Sequence, residues 1–392
     1  MGKTVIVSGA RTPIGKLGGK LSSFTASQLG GKAIKEALIR ANLDGKDVDH
    51  VIMGSVLQGG QGQLPSRQAM HEAGIPWETE TETINKVCAS GMRSVTLGDI
   101  LIQSGEQETV VAGGMESMSQ APFFVKGARF GFKMGEQKFH DMMTHDGLTC
   151  TFTGVHMGTY GNGVASECGL TREAQDKWSF ESHQKAVKAM EAGRLDEEIV
   201  PVEVPQRKGD PLVVNADESP RADTTIEKLA KLKPVFGADG TITAGNAPGV
   251  NDGAAAVVLM SEEKAKAQGA TPLATIVGHA QLAVEPENFP KTPGLVINKL
   301  LKKTGKSVAE IDLFEVNEAF AAVALASGQI AELDPAKLNV NGGAVALGHP
   351  IGASGTRIIL TLAYELKRRG GGIGIAAICS GGGQGDAVMI EV

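Results

Sequence analysis

The stretch NKVCASGM, residues 85–92, sets Cys88 among small residues immediately ahead of a helix-like segment. Exposed amides and the helix dipole at such a place favour an anion and lower a thiol's pKa from its usual ~8.5, so Cys88 is placed to be a thiolate nucleophile. Taken alone, a cysteine there is more often a small packing residue. Two further motifs turn the balance toward chemistry. In GGAVALGHPIGASG, residues 342–355, His349 is held between Gly348 and Pro350 beside a second helix start, although such a glycine-rich run also reads as a plain turn. Cys379 ends the apolar run GIGIAAIC and is followed by SGGG, the kind of strand end at which α/β proteins place ligands; a core cysteine is the competing reading. NEAF, residues 317–320, follows the run IDLFEV in the same way. There Asn317 orients a water or an oxyanion, or caps a helix, and the two roles are compatible.

The elements that must position these groups alternate along the chain. Strand-like runs (TVIVSGA, DHVIMGSV, ETVVAGG, AAAVVLM, ATIVGH, IDLFEV, GIGIAAICS, DAVMIEV) are separated by helix-like segments such as QLGGKAIKEALIRAN, GMRSVTLGDILIQSG, GLVINKLLKKTG and GTRIILTLAYELKRRG. This is the pattern of an α/β protein. The order also repeats. Ala33, Ile34, Ala37 and Leu38 fall opposite Val296, Ile297, Leu300 and Leu301 at one constant offset, and Ala89-Ser90-Gly91-Met92-Arg93 reads against Ala353-Ser354-Gly355-Thr356-Arg357 one position further on. Cys88 then corresponds to Gly352, and two duplicated halves related by a pseudo-twofold axis bring His349 to Cys88. The first copy is interrupted after about residue 118 by a region with its own amphipathic helix, TREAQDKWSFESHQKAVKAMEAG, which reads as a lid or substrate-binding subdomain.

Composition excludes several classes. The chain has 392 residues and a net charge of −6, which argues against a general nucleic-acid or acidic-membrane partner and leaves only a local basic pocket for a phosphate. Four cysteines without a CxxC pair point to reduced thiols, neither a disulfide framework nor a zinc site, and the eight histidines show no HxxxH spacing. MGKTVIVSGA enters a strand directly and no apolar run reaches a membrane span, so a cytoplasmic protein is expected. GKT at residues 2–4 lacks the glycine loop of a phosphate-binding motif, and no GxGxxG follows a strand, which disfavours ATP and NAD.

With Cys88 in NKVCASGM, GGMES at 113–117, NEAF, NGGAVALGHPIGASG and CSGGGQG all in order, the chain resembles the thiolase family over nearly its whole length. The resemblance implies an α/β thiolase fold: duplicated βαβαβαββ halves in a five-layer αβαβα arrangement. Residues 1–118 would form the N-terminal half, completed by 249–271, with an inserted loop domain at 119–248 and the C-terminal half at 272–392. It also implies an acyltransferase that condenses two acetyl-CoA reversibly to acetoacetyl-CoA and CoA through an acetyl-cysteine, with coenzyme A as substrate and product and no other cofactor or metal.

On that resemblance Cys88 carries the acyl group, His349 activates it and helps bind the thioester oxygen, and Cys379 is the acid/base for CoA and for the α-proton. Asn317 would hold a water in one oxyanion hole, while the amides of Cys88 and Gly381 form the other. His156 and Met157 would flank the thioester and pantetheine arm, with Leu148, Phe236, Ala244, Ala319 and Phe320 lining the pocket and Arg221 near the adenine nucleotide. Pro248 stands where many relatives have a serine, so a hydrogen bond to the pantetheine is expected to be missing. The HMG at 156–158 is similar to short-chain members, and residues 123–139 occupy the place of a tetramerisation loop, implying a homotetramer. A longer-chain ketoacyl-CoA thiolase, a ketoacyl synthase and a non-catalytic acyl-CoA carrier are the competing functions.

Overall fold

The computed structural model describes residues 2–392. The first half runs strand Thr4–Arg11, helix Ala26–Ala41, strand His50–Gly54, helix Pro65–Glu72, strand Glu80–Ile84, helix Ser90–Gln103, strand Thr109–Ser117 and, after the insertion, strand Asn251–Ser261. The second half repeats the series with strand Ala274–Ala283, helix Thr292–Thr304, strand Leu313–Val316, helix Ala321–Ile330, helix Ser354–Arg368 and strands Ile373–Ser380 and Gln384–Glu391. Its third strand has shrunk to one parallel bridge between Phe314 and Leu338.

Both halves order their strands alike. Leu313–Val316 pairs parallel with Ile373–Ser380, which pairs antiparallel with Gln384–Glu391 and so on to Ala274–Ala283. Likewise Glu80–Ile84 and Thr109–Ser117 flank His50–Gly54 in parallel, and Asn251–Ser261 and Thr4–Arg11 follow antiparallel. Among the described residues the strands of the two halves pair where Val5 meets Thr275 and Ile6 meets Ala274, which links the two sheets edge to edge.

Three apolar layers cement the sheets into five. Helices Ala26–Ala41 and Pro65–Glu72 bury Leu29, Ile34, Leu38 and Met70 on the outer face of the first sheet. Thr292–Thr304 and Ala321–Ile330 do the same for the second with Val296, Ile297, Leu300 and Ala324. Between the sheets lie Ser90–Gln103 and Ser354–Arg368, packed through Met92, Val95, Ile358, Ile359 and Leu362. This central position explains why Ser354–Arg368 is buried without a break from Ser354 to Leu366: it has a sheet or a helix on every side, unlike a surface helix with one apolar stripe. The αβαβα architecture is the one the family resemblance implies, and the sequence repeat agrees with it.

The central helices meet at their N-termini through glycine. A Cβ on Gly355 would lie 2.3 Å from Met92 N, and one on Gly91 2.8 Å from Gly352 O. Thr356 Oγ1 then donates to Gly91 O at 2.8 Å. The repeated ASG segments therefore make the contact that brings the two copies together. The insertion leaves after Ser117 and returns opposite it, since Asp252 pairs with Ser117. It is tied down by Arg11, which is 1 % exposed and donates to Glu198 at 2.6 Å and to both Asp217 oxygens at 2.7 and 2.9 Å. Among the described residues no helix is long and apolar enough to cross a membrane.

Candidate active site

Cys88 sits in a tight turn between strand Glu80–Ile84 and helix Ser90–Gln103. Ser90 Oγ accepts from Lys86 N at 2.8 Å and donates to Val87 O at 2.6 Å, closing the turn and aiming the sulfur into a cavity of 220 Å³. Val87, Leu148, His156, Met157, Phe236, Pro248, Ala319, Phe320, His349 and Gly381 also line it. The thiol does not rest as the thiolate expected from its place ahead of a helix. Burial pushes it up to about 12, with the amides of Gly381 and of Cys88 itself pulling the other way and Glu116 adding to the rise. The first helical residue is two positions on and the cavity is apolar, so the cost of desolvating a charge outweighs the dipole.

His349 supplies what the cold thiol lacks. The residue is 6 % exposed, and burial together with the Arg357 charge pushes the imidazole down to about 3, so it is neutral. Ser354 Oγ donates to Pro350 O at 3.0 Å and lies 2.6 Å from His349 Nδ1. With that hydroxyl proton committed, Nδ1 carries the ring proton and donates, leaving Nε2 as the unprotonated acceptor nitrogen. The backbone is held as firmly, because His349 N donates to Asn251 Oδ1 at 2.9 Å. Gly348, with φ at 112°, leaves the room: a Cβ there would lie 2.6 Å from the Asn251 amide.

Asn317 Nδ2 stands 3.5 Å from His349 Nε2, and its Oδ1 is buried without a partner among the described residues, as suits a group that orients a water or a polar ligand atom. It is not a helix cap; the next helix begins at Ala321, with Phe320 at the cap position. Its neighbour Glu318 is an anchor, accepting from Trp178 Nε1 at 3.0 Å, Ser182 Oγ at 2.9 Å, Asn339 Nδ2 at 2.9 Å and Val345 N at 3.0 Å. Cys379, next to last in strand Ile373–Ser380, is fully buried in the apolar cluster that includes Met157, Ala319 and Phe320 of the cavity wall. Burial raises its thiol well above the usual range, and the Cys88 sulfur is close enough that a negative charge there raises it further.

The cavity continues into a second one of 360 Å³ through the shared residues Ala247, Gly249 and Val250. Ala244 and Arg221 belong to this outer part, with Lys16, His183 and Lys228. The groove thus passes from a charged mouth, where Lys16 and Arg221 stand beside the Lys228–Asp223 ion pair, to an apolar tunnel that ends at sulfur. In the tunnel His156 caps helix Met157–Glu167, its Nδ1 accepting from Gly158 N at 3.1 Å, and stacks on Phe236 at 4.3 Å. Gly158 permits the stack, since a Cβ would come within 2.2 Å of the Phe236 ring. Pro248, whose side chain has no hydrogen-bonding group, lines this tunnel.

Three positioning residues lie outside the sequence reading: Asn251, Ser354 and Glu116. Glu116, in GGMES, is fully buried and accepts from Val56 N at 3.0 Å, Leu57 N at 3.1 Å and Gly352 N at 3.0 Å, pinning the His349 loop to the first half. Burial pushes its carboxyl up to about 7 against the pull of those amides.

The thiolase N-terminal domain model matches residues 4–263 and the thiolase C-terminal domain model residues 270–392. The chain is 50 % identical over 391 residues to the acetyl-CoA acetyltransferase of Cupriavidus necator, covering 100 % of both. It is 46 % identical to a probable acetyl-CoA acyltransferase of Staphylococcus epidermidis, covering 100 % of this chain and 99 % of the relative. The crystal structure of the Bacillus anthracis acetyl-CoA acetyltransferase superposes with a TM-score of 0.98 at 43 % identity, over 100 % of this chain and 99 % of that one. Two thiolase models that together span the chain, and relatives matched over their full length, settle its kinship: the chain belongs to the thiolase family.

Proposed function

We propose that the protein is an acetyl-CoA C-acetyltransferase, interconverting two acetyl-CoA with acetoacetyl-CoA and CoA through an acetyl-Cys88 intermediate. The observation that carries this is the shared cavity: a neutral imidazole with an unprotonated Nε2, a nucleophilic sulfur and the Gly381 amide face one apolar space of 220 Å³, with a second thiol in the apolar cluster of its wall.

In the first step His349 Nε2 takes the Cys88 proton as the sulfur attacks the thioester carbonyl. The proton is now on Nε2, aimed at the developing oxyanion, so the base becomes a donor where charge appears. Cys379 gives its proton to the departing CoA thiolate and is left as the base for the next step. In the second step Cys379 removes an α-proton of the incoming acetyl-CoA, and the carbanion attacks the carbonyl carbon of acetyl-Cys88. The C–S bond to Cys88 breaks, the leaving thiolate taking back the proton held on His349 Nε2, so that acetoacetyl-CoA is released and both thiols are restored. The Cys88 and Gly381 amides stabilise the oxygen of that acetyl group, while Asn317, through a water, and His349 stabilise the enolate oxygen. An apolar site serves both thiols, since a desolvated thiolate is a stronger base and nucleophile than a hydrated one.

The groove suits coenzyme A: Arg221, Lys16 and Lys228 stand at the phosphate end, and His156, Met157, Phe236 and Pro248 line the pantetheine end. No further cofactor or metal enters the scheme. The chain divides into a half at 1–118 completed by 249–271, an inserted domain at 119–248 and a half at 272–392. We assign the assembly as a cytoplasmic homotetramer. Phe130, Met134 and Phe139, 92 %, 94 % and 74 % exposed on the inserted domain, support burial against other copies. The test is thiolysis of a ketoacyl-CoA chain-length series by CoA. Acetoacetyl-CoA should give the highest kcat/KM; a maximum at longer chains would overturn the short-chain reading, and no turnover would favour the carrier.

A further inference from the structure

Val87, the residue before Cys88, has φ at 46°. A β-branched residue holds this left-handed conformation only where its surroundings over-determine it. Part of that constraint comes from the other half of the molecule, through Lys86. The Lys86 carbonyl accepts from Ser380 Oγ at 2.5 Å. Its Nζ crosses to Asp386, donating to Oδ1 at 2.7 Å and Oδ2 at 2.9 Å, and to Gln281 Oε1 at 2.8 Å. The Asp386 side chain is 0 % exposed and that of Lys86 15 %. Asp386 lies on strand Gln384–Glu391 directly opposite Ile378, the neighbour of Cys379. Arg93 and His279 also face Asp386, and His279 Nε2 is in turn 3.4 Å from Asp99, but Lys86 supplies the hydrogen bonds to the carboxylate.

One lysine therefore grips, from two positions before the nucleophile, the hairpin that carries the second thiol and the Gly381 amide. We propose that the Lys86–Asp386 ion pair is a positioning device that sets the Cys88 sulfur against the Gly381 amide and the Cys379 thiol. This rests on the reading of Cys88 as the acyl carrier. Neither side chain lines the substrate groove, so the pair acts on the transfer steps and leaves acyl-CoA binding alone. A small misplacement of reacting atoms from outside the site is enough to cost on the order of a hundredfold in rate.

A purely structural ion pair makes a different prediction from a positioning one. Removing one partner of a buried pair strands the other charge, whereas replacing both with apolar residues of similar size is often neutral for stability. The experiment compares Lys86→Met, Lys86→Arg and the double variant Lys86→Met/Asp386→Leu in the full-length protein. It records Tm together with kcat and KM for thiolysis of acetoacetyl-CoA, and maps the acetylated residue in wild type. Lys86→Met should lower kcat by roughly tenfold or more, about 1.4 kcal/mol of barrier, with KM within about twofold. Lys86→Arg should recover most of kcat. The double variant should recover Tm but not kcat. A double variant that regains kcat along with Tm, or a Lys86→Met protein with wild-type kcat, would overturn the positioning role while leaving Cys88 as nucleophile. A wild-type protein acetylated elsewhere than Cys88 would overturn both.

Discussion

Stability in mild acid should depend on His349 by an amount that follows from its burial. Folding takes the imidazole from the usual histidine range down to about 3, because burial and Arg357 both oppose its charged form. A folded-state pKa below the unfolded one means that the unfolded chain binds the proton first. The stabilising contribution is therefore complete above about pH 7 and is lost as pH falls from the unfolded value of ~6.5 toward 3, at roughly 1.4 kcal/mol per pH unit. Between pH 7 and pH 5 the native state should lose about 2 kcal/mol from this residue alone. Glu116 acts with the opposite sign. Its carboxyl is raised to about 7, so its contribution is greatest below the unfolded value and is lost as pH rises through 7. Comparing wild type with His349→Gln cancels Glu116 and every other group common to both. Urea unfolding of the two proteins at pH 7 and pH 5, at one protein concentration, should show wild type losing about 2 kcal/mol more than the variant on acidification. Equal losses would mean that the imidazole is charged in the folded protein, and the unprotonated Nε2 base would have to be abandoned.

Three other substitutions probe the site at separate points. Ser354→Ala removes the partner 2.6 Å from His349 Nδ1, and an orphaned buried donor costs about 1–3 kcal/mol, so kcat should fall by roughly 10- to 100-fold with KM little changed; a kcat within twofold of wild type would contradict the tautomer assignment. Gly158→Ala places a methyl 2.2 Å from the Phe236 ring, so steady-state kinetics should show KM for acetoacetyl-CoA rising about tenfold while kcat changes less, and an unchanged KM would remove the His156–Phe236 stack from the binding groove. Cys379→Ser should retain part of the acylation step and lose roughly 10²- to 10⁴-fold in condensation. Undiminished condensation, followed as CoA release from acetyl-CoA alone, would take the proton role away from that thiol.

The architecture was legible because its central contact is written twice. The ASGMR and ASGTR segments are repeated in the chain and touch in the structure, at Gly91, Gly352 and Gly355. Strand Glu80–Ile84 escaped the sequence reading because ETETI is polar, and its edge position explains that composition. Cys88, His349, Gly381 and the tunnel residues come together around one cavity, whereas Arg221 and Ala244 lie in its outer extension and Cys379 and Asn317 are buried outside its lining. What local sequence could not convey was long-range tethering. Asn251 reaches His349, Glu116 reaches Gly352 and Lys86 reaches Asp386 across 98, 236 and 300 positions. The same limit explains the thiol. Proximity to a helix start argues for a thiolate, but the apolar walls that decide otherwise come from Leu148, Met157, Phe236 and Phe320, all distant in the chain.

The most direct test of the chemistry is to mix the protein with acetyl-CoA, quench in acid, digest, and locate the added acetyl group by mass spectrometry. Two half-molecules that converge on one carbonyl predict a single acetyl thioester, on Cys88, formed with release of one equivalent of CoA and absent from Cys88→Ala. An acetyl group on Cys379 or another residue, or turnover of acetoacetyl-CoA with no covalent adduct at Cys88, would contradict the account.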